Sequence, residues 1–242
     1  MKMILSLTLG DIKNIRRDGM LLMTLLAPLL LAAVLRLGVP PLREFVLAAA
    51  GFDISEHYPF AMGFLALMTP MMLGIMAGFI LLDERDENLL SYYAVTPLTK
   101  TGYFFYRISA PVILGFFLTF ILLGFVGLAP LNYARLIPVV FMASLEGPMF
   151  ALLLGAFAAN KVEGLAISKA LGVTFMAPLA GYLLESNWHL LAGIFPPYWV
   201  TQAFLAAGGL NWGWYIFYTG TGLILHLLAV WILLKKFASR SS

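Results

Sequence analysis

The chain has 242 residues, of which 62% are hydrophobic and only 11% charged, and its mean hydropathy is +0.93. Soluble domains usually carry about 25% charged residues, so this composition excludes a soluble protein and indicates an integral membrane protein. The net charge of +3 comes from small basic groups beside apolar runs, which is typical of topology signals rather than nucleic-acid binding. The absence of cysteine excludes disulfides and cysteine-based metal sites.

Residues 1–17 predict an amphipathic helix that lies on the membrane surface. At about 100° per residue, Ile4 and Ile12 fall on one face, while Lys13 and Arg17 fall on the opposite one. The apolar part is short and has no small-residue cleavage pattern, so it does not predict a cleavable signal peptide. Asp18-Gly19 is expected to end this helix.

Six apolar runs predict an all-α fold with six membrane-spanning helices. The predicted spans are residues 20–37, 60–82, 108–128, 136–159, 169–184 and 212–234. No polar stretch is long enough for a separate soluble core, so residues 1–242 are expected to form a single transmembrane domain. A polar loop over residues 38–59, with a short helix at 42–50, is expected between the first two spans.

The segment Leu190–Ala207 is apolar but is interrupted by Pro196-Pro197. It is too broken for a simple crossing, and non-helical backbone at membrane depth is tolerated only where protein or water covers it. We therefore expect a re-entrant or surface-lying helix pair just before the sixth span.

A charged island, residues 83–107, follows the second span. Its first five residues are Asp83, Glu84, Arg85, Asp86 and Glu87. A short amphipathic helix is expected after them, and it should stop at Thr96-Pro97 because proline disfavours helix in the preceding residue. Two interpretations remain open: the charges anchor the end of a span in water, or this helix docks onto a cytosolic partner.

The distribution of basic residues predicts the orientation in the membrane. With six spans, twelve of the fifteen Lys and Arg residues lie on the side of the two termini, the charged island and a second polar island at 160–169. Lys and Arg concentrate in cytoplasmic loops, so both termini are expected in the cytoplasm and the protein in the cytoplasmic (inner) membrane.

Glu146 lies about ten residues inside the fourth span, where a charge is costly unless it is paired, protonated or hydrated. It is the leading candidate for a substrate pathway; the alternative is a structural carboxyl group beside Gly147-Pro148. Thr69 and Thr174 are weaker pathway candidates, with helix packing as their alternative. His226, in the sixth span, is interpreted as a packing histidine.

The chain offers little for catalysis. It has no HExxH or GxSxG motif and no Walker-type phosphate loop, so we expect no catalytic residues, no metal site and no cofactor of its own. An ion-coupled carrier would need buried ionisable groups in several spans, and only Glu146 clearly qualifies. Any energy source would then be a partner or an ion gradient.

The chain resembles the permease subunits of type-2 ABC exporters. The resemblance rests on the leader, the six spans, the charged loop running into VTPLTKTGYFFYR and the segment NKVEGLAISK. The matching loop residues are Glu84, Arg85, Glu87, Val95, Thr96, Pro97, Leu98 and Tyr103. The segment at 160–169 and the step around Glu146 are most similar to the fluoroquinolone-type drug-export branch.

This resemblance implies that residues 83–97 form a coupling helix seated in a separate ATPase subunit, and that the leader is a connecting helix. It further implies two ATPase copies that bind ATP and Mg, a second permease chain as homodimer or heterodimer, and outward movement of a drug, lipid or peptide. The alternative is a non-transporting immunity or sensor subunit on the same scaffold, which would have no neighbouring gene for an ATPase.

Overall fold

The computed structural model describes residues 2–87, 89, 99–184 and 186–241. Within them the α-helices are α1 (Lys2–Arg17), α2 (Gly19–Ala50), α3 (Tyr58–Asp86), α4 (Thr99–Val126), α5 (Tyr133–Ser144), α6 (Glu146–Phe157), α7 (Lys161–Leu171), α8 (Met176–Leu183), α9 (Pro196–Gly208) and α10 (Trp212–Ser241). Short 3-10 helices lie at Ile54–His57, Gly172–Phe175 and Asn187–Ile194.

Six helical stretches in the described part of the chain are long and apolar enough to cross a membrane. They are Gly19–Ala50, Ile54–Asp86, Gly102–Val126, Tyr133–Phe157, Lys161–Leu183 and Trp212–Ala238. The predicted all-α, six-span membrane fold is therefore confirmed. The second and third stretches run in opposite directions, since Glu84 at the end of α3 contacts Arg107 near the start of α4.

Two of the six stretches form the centre of the bundle. In their most apolar 18-residue windows, 83% of α3 and 78% of α5–α6 is buried, against 17–28% for the other four stretches. The exposed surfaces of those four are largely apolar, as expected for helices that face lipid. The centre is packed tightly because Gly74 of α3 lies against Gly147 of α6: a Cβ atom added to Gly74 would lie 2.2 Å from the Gly147 carbonyl oxygen.

The first loop is shorter than predicted, because α2 continues through Pro40 and Pro41 to Ala50. A proline costs about 3 kcal/mol in a helix interior, so its presence was expected to mark a break. The helix ends instead at Gly51, whose φ of 67° places it in the left-handed region that glycine adopts readily. The short helix expected at residues 42–50 is thus the last part of the first spanning helix.

The fourth span is divided where the sequence contains Pro148. Proline has no N–H, and its ring clashes with the carbonyl four residues earlier, which here belongs to Ser144. Accordingly α5 ends at Ser144, Leu145 forms a turn and α6 begins at Glu146. The break therefore places Glu146 at the amino end of a helix inside the bundle.

The fifth span begins earlier than predicted, because the polar island at 160–169 is mostly helix α7. The Asn160 side chain accepts a hydrogen bond from Glu163 N at 3.0 Å, and Glu163 accepts one from Ala159 N at 2.7 Å. This reciprocal arrangement closely resembles a capping box, so the Asn-x-x-Glu spacing is a sequence signal for a helix start.

The segment before the sixth span is a helix pair, as expected: the 3-10 helix Asn187–Ile194 is followed by α9. The two are separated at Phe195, and Pro196-Pro197 begin α9, where a missing N–H is tolerated. Tyr198, Val200 and Ala203 are fully buried, and α9 packs against α3 and α10. Its re-entrant position in a membrane stays a prediction.

Candidate functional site

Charged side chains from four helices and from the α1–α2 junction meet at one end of the bundle. The helices are α1, α3, α4 and α7, and backbone carbonyls at the end of α6 complete the group. We call this group the ionic cluster; it consists of Asp11, Asp18, Asp83, Glu84, Arg85, Arg107 and Lys161. It brings the two helices that flank residues 88–98 into contact with three other helices.

The most buried part of the ionic cluster joins the end of α3 to the start of α4. Arg107 donates from Nε to Glu84 Oε2 at 3.0 Å and from Nη2 to Glu84 Oε1, while the Tyr103 hydroxyl also donates to Glu84. Glu84 is 4% exposed and Arg107 is 6% exposed. A two-pronged Arg–carboxylate pair fixes the relative orientation of its groups, so α3 and α4 are held in a defined register here.

The same guanidinium group reaches α1. Arg107 Nη1 donates to Asp11 Oδ2 at 2.7 Å, and the Tyr106 hydroxyl donates to the same oxygen at 2.9 Å. Thr8 is hydrogen-bonded to the Tyr106 hydroxyl at 3.0 Å. The amphipathic leader is therefore attached to the bundle through α4, and its predicted position at the membrane surface stays a prediction.

A second part of the ionic cluster centres on Lys161. Its ammonium group lies 2.6 Å from Asp18 Oδ2 and 2.8 Å from Asp83 Oδ2. Asp18 also caps α2 by accepting from the backbone N–H groups of Met20 and Leu21. The hydrogen bond from Lys161, reinforced by these N–H groups, holds the pKa of Asp18 below its usual value despite partial burial.

Arg85 connects α3 to the end of α6. It donates to the carbonyl oxygens of Gly155 at 3.2 Å and Ala158 at 2.6 Å. These carbonyls belong to the last turn and the C-cap of α6, where helical partners run out and a cation is favourable. Three successive charged residues of α3 therefore contact three different helices.

The charged rim predicted for partner docking is only partly exposed. Asp83, Glu84 and Arg85 form the last turns of α3 and bind within the chain, because the end of this central helix is covered by its neighbours. Asp86 and Glu87 are exposed. Thr96 and Pro97, with most of the predicted coupling helix, lie outside the described residues, so their docking role stays a prediction.

A second polar site lies in the interior, where α6 meets α10. Glu146 Oε1 lies 3.0 Å from His226 Nε2, and both side chains are completely buried. His226 Nδ1 lies 2.7 Å from the carbonyl oxygen of Gly222, one turn earlier in α10. The second Glu146 oxygen, Oε2, is buried without a hydrogen-bond partner.

The protonation of this pair follows from its partners. Because the Gly222 carbonyl can only accept, Nδ1 of His226 carries a hydrogen atom. Nε2 then either donates to an ionised Glu146 or accepts from a protonated one, and in both states one proton lies between Nε2 and Oε1. The pair has no net charge in either state, which makes it compatible with burial in a membrane. His226 is thus more than the packing residue that the sequence suggested.

The other two pathway candidates bond to backbone carbonyls within their own spanning stretches. The Thr69 hydroxyl donates to the Leu65 carbonyl at 2.8 Å, and the Thr174 hydroxyl donates to the Leu171 carbonyl at 2.7 Å. Thr69 is fully buried and Thr174 is half-buried. Both arrangements suit the packing interpretation, and a role in substrate contact stays a prediction for them.

Replacing Glu146 with glutamine is expected to preserve folding but to reduce transport. The glutamine amide can donate to an unprotonated His226 Nε2, whereas it cannot exchange a proton with it. Glu146→Ala removes the partner altogether and is expected to cost about 1–3 kcal/mol of stability. Thermal unfolding in detergent and export from cells measure the two effects; equal loss of folding in both variants would assign Glu146 a structural role.

Sequence reasoning missed Asp11, Asp18, Arg107 and Lys161 as cluster members. A signal for Arg107 was present, since α3 and α4 form an antiparallel pair around residues 88–98. The end of α3 and the start of α4 therefore lie on the same side of the bundle, which brings Glu84 within reach of Arg107. No comparable local signal exists for Asp11, which is 96 residues from Arg107 along the chain.

Comparison with known proteins identifies the family. The model of the Rv2686c-like fluoroquinolones export permease proteins matches residues 11–234. The chain belongs to this family. It is 31% identical over 234 residues to the fluoroquinolones export permease proteins Rv2686c and MT2760 of two Mycobacterium tuberculosis strains, H37Rv and CDC 1551. The match covers 96% of this chain and 92% of each relative; no solved structure matches.

As a member of the fluoroquinolone export permease family, the chain is a multi-pass membrane protein and a transport subunit. The family match confirms the resemblance to drug-export permeases that the charged loop and the segment at 160–169 suggested. It begins at Asp11 and includes every member of the ionic cluster as well as Glu146 and His226.

Proposed function

We propose that this chain is the membrane-spanning subunit of an ATP-driven exporter of amphipathic aromatic drugs, of the kind named for its relatives. A separate ATPase subunit, in two copies, binds ATP and Mg, and a second permease chain completes the assembly. Both termini lie in the cytoplasm, and the protein lies in the cytoplasmic membrane. The orientation rests on the excess of Lys and Arg on that side.

The observation that carries this proposal is the ionic cluster beside residues 88–98. Arg107 binds Glu84 and Asp11, and Lys161 binds Asp18 and Asp83, so the helices on both sides of this connection are attached to α1 and α7. A partner that pushes on residues 83–97 would therefore move several helices as a unit. Asp86 and Glu87 are exposed, as residues that contact a partner must be.

The centre of the bundle supports transmission over a longer distance. Gly147 packs on α4 as well as α3, since an added Cβ would lie 3.0 Å from Pro111 Cβ and 3.3 Å from the Pro70 carbonyl oxygen. Close-packed helices move by small shifts between discrete arrangements rather than by bending. ATP binding on the partner would shift α3 and α4 together and move α6, with the Glu146–His226 pair, between inward and outward arrangements.

Reversing the exposed charges is expected to abolish coupling without affecting the fold. The double variant Asp86→Lys and Glu87→Lys changes two exposed side chains that form no ion pair with the described residues, so membrane insertion and thermal unfolding should be unchanged. Stimulation of ATP hydrolysis by the purified chain, reconstituted with the ATPase from its genetic neighbourhood, should fall by at least about tenfold, a loss of about 1.4 kcal/mol in coupling.

The matched control is Glu44→Lys, a charge reversal at an exposed acid on α2 that lies at the opposite end of the bundle. It should leave stimulation unchanged. Full stimulation in the double variant would reject the docking role of this segment, and a neighbouring ATPase that never responds to the chain would reject the exporter itself.

A further inference from the structure

A narrow cleft separates the leader α1 from the bundle, between α3 and α4. It encloses about 120 Å³, and its walls include Ile15 of α1, Leu73 and Ile80 of α3, and Ala110 and Leu114 of α4. The cleft is not part of the Glu146–His226 site. One end is formed by the ionic cluster together with the hydroxyl groups of Thr8 and Tyr106, and the rest of the wall is apolar.

The apolar wall extends into the inner half of the membrane in the proposed orientation. Ile80 precedes Glu84 by four residues and Leu73 precedes it by eleven, which at 1.5 Å per residue places them ~6 Å and ~16 Å deeper than Glu84. Ile12 and Leu114, which also line the cleft, are 49% and 55% exposed. The cleft therefore opens sideways, toward the surface that lipid would cover.

The polar end of the cleft carries an excess of negative charge. Asp11 and Arg107 line it, and Arg107 is shared between the carboxylates of Asp11 and Glu84. Two carboxylates against one guanidinium leave a net charge of −1. Among the described residues, hydrogen bonds reach only one Asp11 oxygen, Oδ2, from Tyr106 and Arg107. A cation at the rim is therefore favoured, and an anion is disfavoured.

We propose that this cleft is where the exported aromatic compound enters from the inner leaflet, and that the negative rim at Asp11 recognises the protonated amine of that compound. The inference rests on the proposed function. An engineered cavity of about 150 Å³ holds benzene, so a cleft of about 120 Å³ accommodates one ring of the compound, and the rest of the compound lies at the exposed mouth beside Ile12 and Leu114. The ring lies between Ile80 and Ala110, and the ammonium group is placed near the free oxygen of Asp11.

A compound in the cleft would contact a helix that packs at the centre of the bundle. Pro111 lines the deep part of the cleft and packs against Gly147, the residue next to Glu146. A ring in the cleft thus contacts a helix that touches α6 directly. The cleft is a specific entry point and requires no contact between the compound and the buried Glu146–His226 pair.

The test measures binding to the full chain in lipid nanodiscs by equilibrium dialysis, with empty nanodiscs as background. The probes are norfloxacin and nalidixic acid. Both have a fused-ring carboxylate, and only norfloxacin also has a basic piperazine amine. Ala110→Phe should fill the cleft and weaken norfloxacin binding by at least about tenfold. The matched control is Ala33→Phe, at a half-buried alanine of α2 outside the cleft, and it should bind as the wild type does.

Asp11→Asn removes the negative charge at the rim of the cleft while leaving the shape of the cleft nearly unchanged. It should weaken norfloxacin binding several-fold and leave nalidixic acid binding unchanged, because only the amine depends on the negative rim. If Ala110→Phe fails to fold, Leu114→Trp narrows the exposed mouth of the cleft instead and should also weaken binding. Equal norfloxacin binding by the cleft variants and Ala33→Phe would overturn the proposal.

Two further outcomes distinguish this inference from the proposed function. If ATP-driven export proceeds normally in the cleft variants, the result supports the proposed exporter and rejects the cleft as the entry site. If norfloxacin binds as expected but the wild type with its ATPase exports nothing, the result supports the cleft as a binding site and rejects the proposed function. Loss of co-purified phospholipid from Ala110→Phe without any change in norfloxacin binding would assign the cleft to a lipid chain and overturn the proposal.

Discussion

Arg107→Met is expected to unfold or strongly destabilise the protein, by about 3–5 kcal/mol. Arg107 is the only residue in the described part of the chain that forms ion pairs with both Glu84 and Asp11. Methionine fills a similar volume but leaves Glu84 as a buried carboxylate without its cation. An isolated buried charge loses its hydration without compensation, so the loss should far exceed that of an exposed ion pair.

The measurement is the midpoint of thermal unfolding of the purified chain in detergent. Arg43→Met is the matched control, because Arg43 also forms a two-pronged pair, with Asp53, but both side chains are about two-fifths exposed. Arg43→Met is expected to change the unfolding midpoint only slightly. Adding Glu84→Gln to Arg107→Met should restore part of the lost stability by removing one unpaired charge. A single variant as stable as the wild type would contradict the structural role of the ionic cluster.

Gly74→Ala is expected to have the second large effect, about 3 kcal/mol or more, although it adds only one methyl group. The added carbon would lie 2.2 Å from the Gly147 carbonyl oxygen and 2.7 Å from Gly147 Cα. Both are backbone atoms, so no side-chain rotation relieves the clash. The two central helices must separate, and the packing between α3 and α6 is lost.

Gly220→Ala provides the comparison within another spanning helix, since nothing lies within 4 Å of a Cβ atom added at Gly220. Alanine is the better helix former by about 1 kcal/mol, so this variant should be as stable as the wild type or slightly more stable. The measurement compares the midpoints of thermal unfolding of Gly74→Ala and Gly220→Ala with that of the wild type. A Gly74→Ala protein that melts with the wild type would mean that α3 and α6 do not approach this closely.

Most errors in the predicted elements concern the ends of helices rather than their existence. The first loop was predicted too long because Pro40 and Pro41 were interpreted as a break, although the helix continues to Gly51. The fifth span was predicted too short because Asn160 and Glu163 were assigned to a turn, although they cap α7. In both cases the prediction rested on single residues, namely proline as a helix breaker and polar residues as turn formers. The other residues of the same segment favoured helix and outweighed them.

The candidate site was predictable only in part. Glu146 was recognised as exceptional because an acid inside an apolar run is unusual wherever it lies in the fold. Its pairing was not, since His226 is 80 residues away along the chain and only the packing of α10 against α6 brings its ring to Glu146. The charged residues at the end of α3 were likewise recognised, but their partners in α1 and α7 were not.

The amino-acid sequence by itself determined the membrane class, the number of spans, the predicted orientation and the family. These properties are readable from local patterns, because a helix in lipid must satisfy its own backbone and remain apolar along its whole length. Only the tertiary structure decided which charges are buried, how Glu146 is paired, and that a cleft lies beneath the leader. Those features depend on how each helix is rotated and how deeply it sits relative to its neighbours, and no pattern within one segment records that.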